Sequence, residues 1–291
     1  MMSTTHSAPR RIAVASHPQV LDAPKEASQI AAYLNERGVS VFQSSLYDEN
    51  LRSRVIAGEV DLLIAVGGDG TMLRAGHLCG PSCTPLLGIN LGRFGFLIEI
   101  QKGEWHEIMP LLLEGNYWLE RRMMLSAEQW RADERLGAWE VLNEAVVSRG
   151  QMVRPVHLYT YVDGRHLTTY VADALIAATP TGSTAYALAA GGPILPPELR
   201  NILLVAVAPH LSIERAIVLA EGSHVSITVH SDHPAVLSLD GQAPISLVDG
   251  DRVEAYASEH TVQFVRFQDP GYFYRNLTPH MNQNPSTGNH R

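Results

Sequence analysis

Lysine is nearly missing from this chain. Of its 22 basic residues 20 are arginine, and only Lys25 and Lys102 carry an amine side chain. Neither lies in a glycine-rich setting, and the Walker A pattern G-x-x-x-x-G-K-[ST] is absent. Phosphoryl transfer of the P-loop kind is thereby excluded. Cysteine is equally scarce. Cys79 and Cys83 cannot frame a disulfide scaffold, and with His77 they lack a fourth ligand and zinc spacing, so inert intracellular thiols are expected. No apolar run approaches the ~18 residues of a membrane span, and residues 1–9 hold no apolar signal-peptide core. An excess of positive charge is lacking too, since 30 acidic against 22 basic residues leave a net charge of −8 with histidine neutral. Nucleic acid and anionic membranes demand a basic stripe, so neither is an expected partner, although a local basic pocket is compatible with this balance. A cytoplasmic protein is expected.

What is present is an ordinary globular composition, 45% hydrophobic over 291 residues. That length suggests about two domains at ~150 residues each, large enough to fold without staples. Apolar strand runs at 11–16, 39–42, 61–66 and 85–89 alternate with helical spacing at 24–37, 51–57 and 104–114, with Gly38 and Gly115 as helix stops. This alternation predicts a parallel sheet covered on both faces. Beyond Tyr117 short strand runs recur at 119–128, 139–147, 156–162, 166–172, 225–230, 236–240 and 252–257, with Asp163-Gly164 and Asp240-Gly241 as tight turns. The expected architecture is an α/β N-terminal domain with a parallel sheet followed by a β-rich, sandwich-like C-terminal domain. Its expected parts are a flexible leader at 1–10, the α/β domain at 11–116, the β-rich domain at 117–279 and a disordered polar tail at 280–291. The last segment of the β-rich domain can pack back on the first.

The third strand runs straight into Gly67-Gly68-Asp69-Gly70-Thr71, and helical character resumes at Met72. Ligands of open α/β sheets bind at that edge. Glycines permit positive φ and let backbone N–H groups approach phosphate oxygens, while a helix N-terminus adds positive potential. Gly67, Gly68, Gly70 and Thr71 are therefore candidates for a phosphate-donor loop. Asp69, an anion in such surroundings, calls for Mg²⁺ or a hydroxyl beside it. A β-turn with an Asp cap is the plainer reading, but a turn rarely needs three glycines. The dinucleotide fingerprint G-x-G-x-x-G is not met, because Leu73 stands at its final glycine.

Two further stretches stand out. Asn143 and Glu144 interrupt an apolar run of Val141, Val146 and Val147. On one strand they point to opposite faces, so at least one is satisfied inside the protein or meets a ligand, unless the strand ends there in solvent. Residues 173–194 lead an apolar strand into Thr179-Pro180-Thr181-Gly182 and then into a small-residue helix beginning near Ser183. Ser183 and Thr184 offer hydroxyls and N–H groups at a helix start. Ala185, Ala187, Ala189 and Ala190 leave room for another surface, and Gly191-Gly192-Pro193 ends the helix. Simple capping accounts for Ser183 but not for this density of hydroxyls, small residues and glycines.

The pentad at 67–71 is shared by NAD kinases, diacylglycerol and sphingosine kinases and, more distantly, phosphofructokinases. With 88–97, 142–145, 179–194 and Asp240-Gly241-Gln242 in this order, the chain resembles the bacterial NAD kinases over about residues 11–277. The stretch Thr-Pro-Thr-Gly-Ser-Thr-Ala-Tyr with its later Gly-Gly-Pro is close to diagnostic. The resemblance implies transfer of the terminal phosphoryl group of ATP or polyphosphate to the adenosine 2′-hydroxyl of NAD, making NADP. It implies Asp69 as the essential carboxylate beside that hydroxyl, with Gly70 next to it. Asn143 and Glu144 would hold NAD, with Asp173 the acidic residue on the same side. Thr184, Ala185, Tyr186, Ala187, Leu188 and Ala189 match a substrate-contacting helix start, Tyr186 as its aromatic wall. Arg154, Ala208 and Gln242 fall at the dinucleotide, and Arg74 is placed to meet its phosphates. A divalent metal, Mg²⁺, is implied with the nucleotide, with no dedicated protein site beyond contact to Asp69, and self-association to a dimer or tetramer is common in the family. The chain departs from the family pattern at Ala174, where glycine is usual, and at Val171, where arginine is frequent; the latter bears on the choice between oxidised and reduced dinucleotide. A lipid kinase of the same superfamily would lack the 179–194 stretch, and a non-catalytic sensor would bind NAD without forming NADP.

Overall fold

The computed structural model describes residues 6–92, 95–210 and 213–282. In chain order the first elements are β1 (Arg11–Ser16), α1 (Ala23–Asn35), β2 (Ser40–Ser45), α2 (Glu49–Ile56), β3 (Leu62–Gly67), α3 (Asp69–Cys79), β4 (Leu86–Asn90), β5 (Ile100–Gln101) and α4 (Trp105–Leu113). There follow β6 (Trp118–Arg131), β7 (Glu134–Val141), β8 (Glu144–Arg149), β9 (Val156–Val162), β10 (Arg165–Ala172), β11 (Ala174–Ala178), a 3₁₀ turn (Gly182–Thr184) and α5 (Tyr186–Ala189). The chain continues through β12 (Asn201–Val207), β13 (Ile217–Ala220), β14 (His224–His230), β15 (Ala235–Leu239), β16 (Ile245–Leu247), β17 (Arg252–Arg266) and α6 (Tyr272–Asn282).

These elements form two compact units. One comprises the residues up to Arg121 together with those from Thr261 onward, and the other is Arg122–His260. In the first, β4-β3-β1-β2 pair in that order and all in parallel. β5 adds to β4, and Phe264 at the end of β17 pairs with Leu86. Strand β3 is buried along its whole length, as a parallel strand covered on both faces must be. Helix α1 turns Ala27, Ile30 and Leu34 inward against Val14 and Ile64, with Pro24 in its first turn and Gly38 at φ +79° beyond its end.

The second unit is a sandwich. One sheet runs β13-β12-β11-β8-β15-β16, antiparallel throughout. In the other, β14 lies between β9 and β17, β10 flanks β9, and β6 pairs with β17 and β7. Val147, Leu175, Leu204 and Leu237 from the first sheet meet Leu125, Leu158, Ile227 and Val253 from the second in one core. The opposite face of the first sheet carries a smaller cluster of Val146, Ile176, Ala187 and Val205. Asp163-Gly164 and Asp240-Gly241 are hairpin turns with positive φ at both residues.

Two expectations are corrected. The run 139–147 is not one strand: it breaks at Leu142-Asn143, where the chain leaves β7 in one sheet and enters β8 in the other. Asn143 and Glu144 therefore do not occupy opposite faces of a common strand. The helix expected from Ser183 is a 3₁₀ turn followed by a four-residue helix, because Ala185 (φ −100°, ψ −126°) interrupts it. Of the polar tail, 280–282 complete α6 and 283–291 lie outside the described residues, as do 1–5 of the leader, Arg93-Phe94 and Leu211-Ser212. Among the described residues no helix is long and apolar enough to cross a membrane.

Candidate active site

Strand β3 ends at Gly67 and α3 begins at Asp69, so Gly68 alone joins strand to helix. None of Gly67, Gly68 and Gly70 has positive φ, which corrects the expectation that they supply left-handed backbone. Their reasons differ. A Cβ on Gly67 would fall on the Thr71 hydroxyl, which itself accepts the Gly68 N–H at 3.2 Å. A Cβ on Gly68 or Gly70 would meet nothing within 4 Å. Alanine is worth about 1 kcal/mol over glycine inside a helix, so packing within the chain gives Gly70 no purpose. Open space above the first turn of a helix suits a ligand whose phosphates approach the backbone.

Asp69 is half-buried and its carboxylate rests against Gly95, where any Cβ would strike it. The Phe96 N–H donates to its Oδ2 at 2.9 Å and the Leu97 N–H to its Oδ1 at 3.4 Å. The turns after β3 and β4 thus meet on one carboxylate. At the same end of the sheet, the residues following β1 and β2 supply His17 and Tyr47, in contact at 3.2 Å. The exposed Arg74 guanidinium lies 4.1 Å above the Tyr47 ring. His17 and Tyr47 belong to no motif; their one sequence signal is their place after strand ends on the ligand-binding edge.

In the second unit, Asp240 organises the break between β7 and β8. Its carboxylate accepts the N–H groups of Leu142, Asn143 and Glu144 at 2.7, 2.8 and 2.8 Å. Thr179 ties the other side, donating its N–H to the Asn143 carbonyl at 2.8 Å and its hydroxyl to the Leu142 carbonyl at 2.6 Å. A Cβ on Gly182 would land on the Asn143 carbonyl oxygen. The 179–182 turn and the Asn143–Glu144 bend are therefore one hydrogen-bonded piece. Ser183 is fully buried, donates to the Pro180 carbonyl and accepts the Leu195 N–H at 2.9 Å, so its hydroxyl is an internal pin. Thr184 donates to the Thr181 carbonyl at 3.1 Å.

Glu144 sits beneath this turn, 6% exposed, and its Oε2 has no hydrogen-bond partner among the described residues. Burial, reinforced by the nearby Asp240 charge and opposed by the Tyr186 N–H, pushes its carboxyl up to about 8. At neutral pH it is a protonated carboxyl, able to donate as well as accept. Tyr186 is exposed, whereas Ala187 faces the cluster under the sheet. Ala185, Leu188 and Ala189 complete the short segment between them.

Asp173 pairs with Arg149 at 3.0 Å, and its N–H bonds the Val207 carbonyl, placing it beside the exposed Ala208 at φ +46°. Val171 leaves no guanidinium two residues before Asp173, and Arg149 from β8 supplies one. Gln242 follows the Asp240-Gly241 turn, its N–H on the Leu239 carbonyl at 2.9 Å. Arg154 lines an open cleft of about 580 Å³ in the second unit with His157, His230, His233 and Asp249. Among the described residues no group of three or more His, Cys, Asp or Glu side chains is disposed to hold a metal ion.

A glycine turn around a bracketed carboxylate at the edge of a parallel sheet, followed in the chain by a sandwich with a buried carboxyl under a hydroxyl-rich turn, fits the class of phosphotransferases. The ATP-NAD kinase N-terminal domain matches residues 8–117, and the ATP-NAD kinase C-terminal domain matches 142–267. The chain is 38% identical over 267 residues to the NAD kinase of Chloroflexus aurantiacus, covering 92% of this chain and 96% of that protein. It is 39% identical over 256 residues to the NAD kinase of Moorella thermoacetica, covering 85% and 81%. Among solved structures, an NAD kinase from Archaeoglobus fulgidus in complex with ATP aligns with TM-score 0.77 at 26% identity, over 94% of this chain and 99% of that one. Yeast NADH kinase complexed with NADH shares the fold, with TM-score 0.83 at 23% identity over 98% and 90%. The chain belongs to the NAD kinase family. It is an enzyme, a phosphotransferase, and the lipid-kinase and sensor readings fall with that membership.

Proposed function

We propose that the enzyme transfers the terminal phosphoryl group of ATP, or of polyphosphate, to the adenosine 2′-hydroxyl of NAD, and that Asp69 is the carboxylate at that hydroxyl. The observation that carries this reading is the Asp69 side chain, bracketed by the Phe96 and Leu97 N–H groups, next to the open space at Gly68 and Gly70. Positioning and charge neutralisation dominate phosphoryl transfer. A carboxylate already accepting two N–H bonds orients the hydroxyl and takes its proton late. The first turn of α3 receives phosphate oxygens, with Gly67, Gly68, Gly70 and Thr71 forming the donor loop. Asp69, the one carboxylate at this loop, would contact a Mg²⁺ brought by the nucleotide, and that ion would supply neutralisation of phosphate charge.

On the NAD side, Asn143, Glu144, Asp173, Thr184 to Ala189, Ala208 and Gln242 hold the dinucleotide, with Arg74 on phosphate. Glu144, protonated at neutral pH, can hydrogen-bond a sugar hydroxyl or a carboxamide without adding charge beside the pyrophosphate. Arg154, on the cleft it lines with His157 and His230, completes this set. We further infer a cytoplasmic dimer or tetramer, supported by the family resemblance, and no nucleic-acid partner, supported by the net charge of −8.

The test is NADP formation from NAD and ATP with Mg²⁺. Asp69→Asn is expected to lower kcat by at least about 10³-fold while NAD binding measured by calorimetry is retained. Turnover near the wild-type rate in that variant would remove Asp69 from the mechanism.

A further inference from the structure

Three polar side chains are buried where the chain's C-terminal part joins the first unit: Arg266 at 2%, Glu120 at 6% and Tyr272 at 5% exposure. Arg266 Nε donates to Glu120 Oε2 at 2.8 Å, and the Tyr272 hydroxyl lies 3.0 Å from both Glu120 oxygens. A buried ion pair is seldom more stable than well-packed apolar residues of the same volume, so stability alone does not account for it. One further contact of Arg266 is specific. Arg266 Nη1 donates to the Leu97 carbonyl at 3.0 Å. Leu97 is the residue whose N–H, with that of Phe96, is directed at the Asp69 carboxylate. Two residues on, Glu99 accepts the N–H groups of Phe267 and Gln268. The peptide segment that touches Asp69 is therefore gripped from its other side by β17 and, through Glu120, by α6.

We propose that Arg266 and Tyr272 are positioning residues for phosphoryl transfer, holding the Leu97 peptide and through it the Asp69 carboxylate in register with the acceptor hydroxyl. This rests on the reading of Asp69 given above. A misplacement of about 1 Å far from the reacting atoms can cost about 10²-fold in rate, which is the size of effect available to such a contact.

Steady-state NADP formation by the full chain tests it, with Arg275→Ala on the exposed Arg275–Asp269 pair as the control expected to match wild type. Arg266→Met is expected to lower kcat about 10²-fold, with KM for NAD and ATP unchanged and partial recovery in Arg266→Lys. Tyr272→Phe, which removes a single hydroxyl and keeps the ring, is expected to lower kcat about 5–10-fold at unchanged KM. In an Asp69→Asn background Tyr272→Phe should reduce the residual rate no further, because its action runs through the missing carboxylate. Should Arg266→Met fail to fold, Tyr272→Phe carries the test alone. The inference is overturned if Tyr272→Phe leaves kcat unchanged, raises KM instead, or loses the same factor with and without Asp69. If Asp69→Asn itself turns over normally, the reading of Asp69 fails and this inference with it; if that variant is inactive while Tyr272→Phe is normal, only the inference fails.

Discussion

A carboxyl taken out of water without a cation beside it keeps its proton or pays heavily for ionising. Glu144 keeps it, with its carboxyl at about 8 in the folded protein against an ordinary 4.5. Between those values the folded chain holds a proton that the unfolded chain has lost, so stability falls as pH rises through the window and levels off above about 8. The contribution is present in full only below the unfolded value. Glu144→Gln preserves shape and neutrality, so its Tm is expected to be close to wild type at pH 5 and several degrees higher at pH 8.5. Thermal melts at the two pH values check this, and an equal shift at both would mean that Glu144 is ionised throughout. Asp240 has a structural role, its side chain accepting three backbone N–H groups. Asp240→Asn turns one acceptor into a donor facing those N–H groups and is expected to cost about 1–3 kcal/mol in chemical denaturation, with activity falling as the Asn143–Glu144 bend loosens. Asn143 and Glu144 were legible because polar residues in an apolar run need explaining. The cap that Asp240 provides was not, since its partners lie 96 to 98 residues away in the sequence.

At the scale of elements, glycine is present for two unlike reasons that substitution can separate. Gly67 and Gly182 have a neighbour where the Cβ would go, the Thr71 side chain and the Asn143 carbonyl. Alanine at either is expected to destabilise by about 1–3 kcal/mol, as overpacking does. Gly70 has open space, and alanine in the first turn of α3 is expected to leave Tm unchanged or slightly raised while kcat falls. Scanning fluorimetry beside NADP formation distinguishes the classes, and a Gly70→Ala variant with full activity would show that no ligand uses that space. The periodic elements α1, β1, β3 and α4 were legible because their burial pattern is local. The split of 139–147 was not, because what breaks it is a sheet change held by side chains from elsewhere. The small-residue run after Ser183 reads as a helix by propensity, and only the backbone at Ala185 shows that it stops.

For the whole molecule, the order of α/β unit then sandwich follows from where strand–helix alternation stops, and that order was readable. Which strands pair was not: β17 joins β14 within the sandwich and reaches β4 at Phe264, contacts that no local pattern announces. The composition, by contrast, makes a prediction for the entire surface. Lys25 is exposed on α1, and Lys102 is paired with Asp22 at 2.7 Å. Among the described residues of the first unit, neither hydrogen-bonds nor pairs with Asp69 or the donor loop. On the proposed reading, positive charge for the phosphates comes from arginine, backbone N–H groups and any metal carried with the nucleotide. Exhaustive acylation of amines is therefore expected to leave kcat and both KM values unchanged, since it removes only these two side-chain charges and the chain's amino terminus. Phenylglyoxal, which attacks guanidinium groups, is expected to inactivate the enzyme, with ATP–Mg²⁺ or NAD slowing the loss. Mass mapping should place ligand-protected modification at Arg74, the exposed guanidinium over Tyr47, and Arg74→Ala should lose the protectable phase. Inactivation that follows modification of Lys25 or Lys102 would overturn the proposed reading, because it would give one of two lysines the role proposed for backbone and arginine.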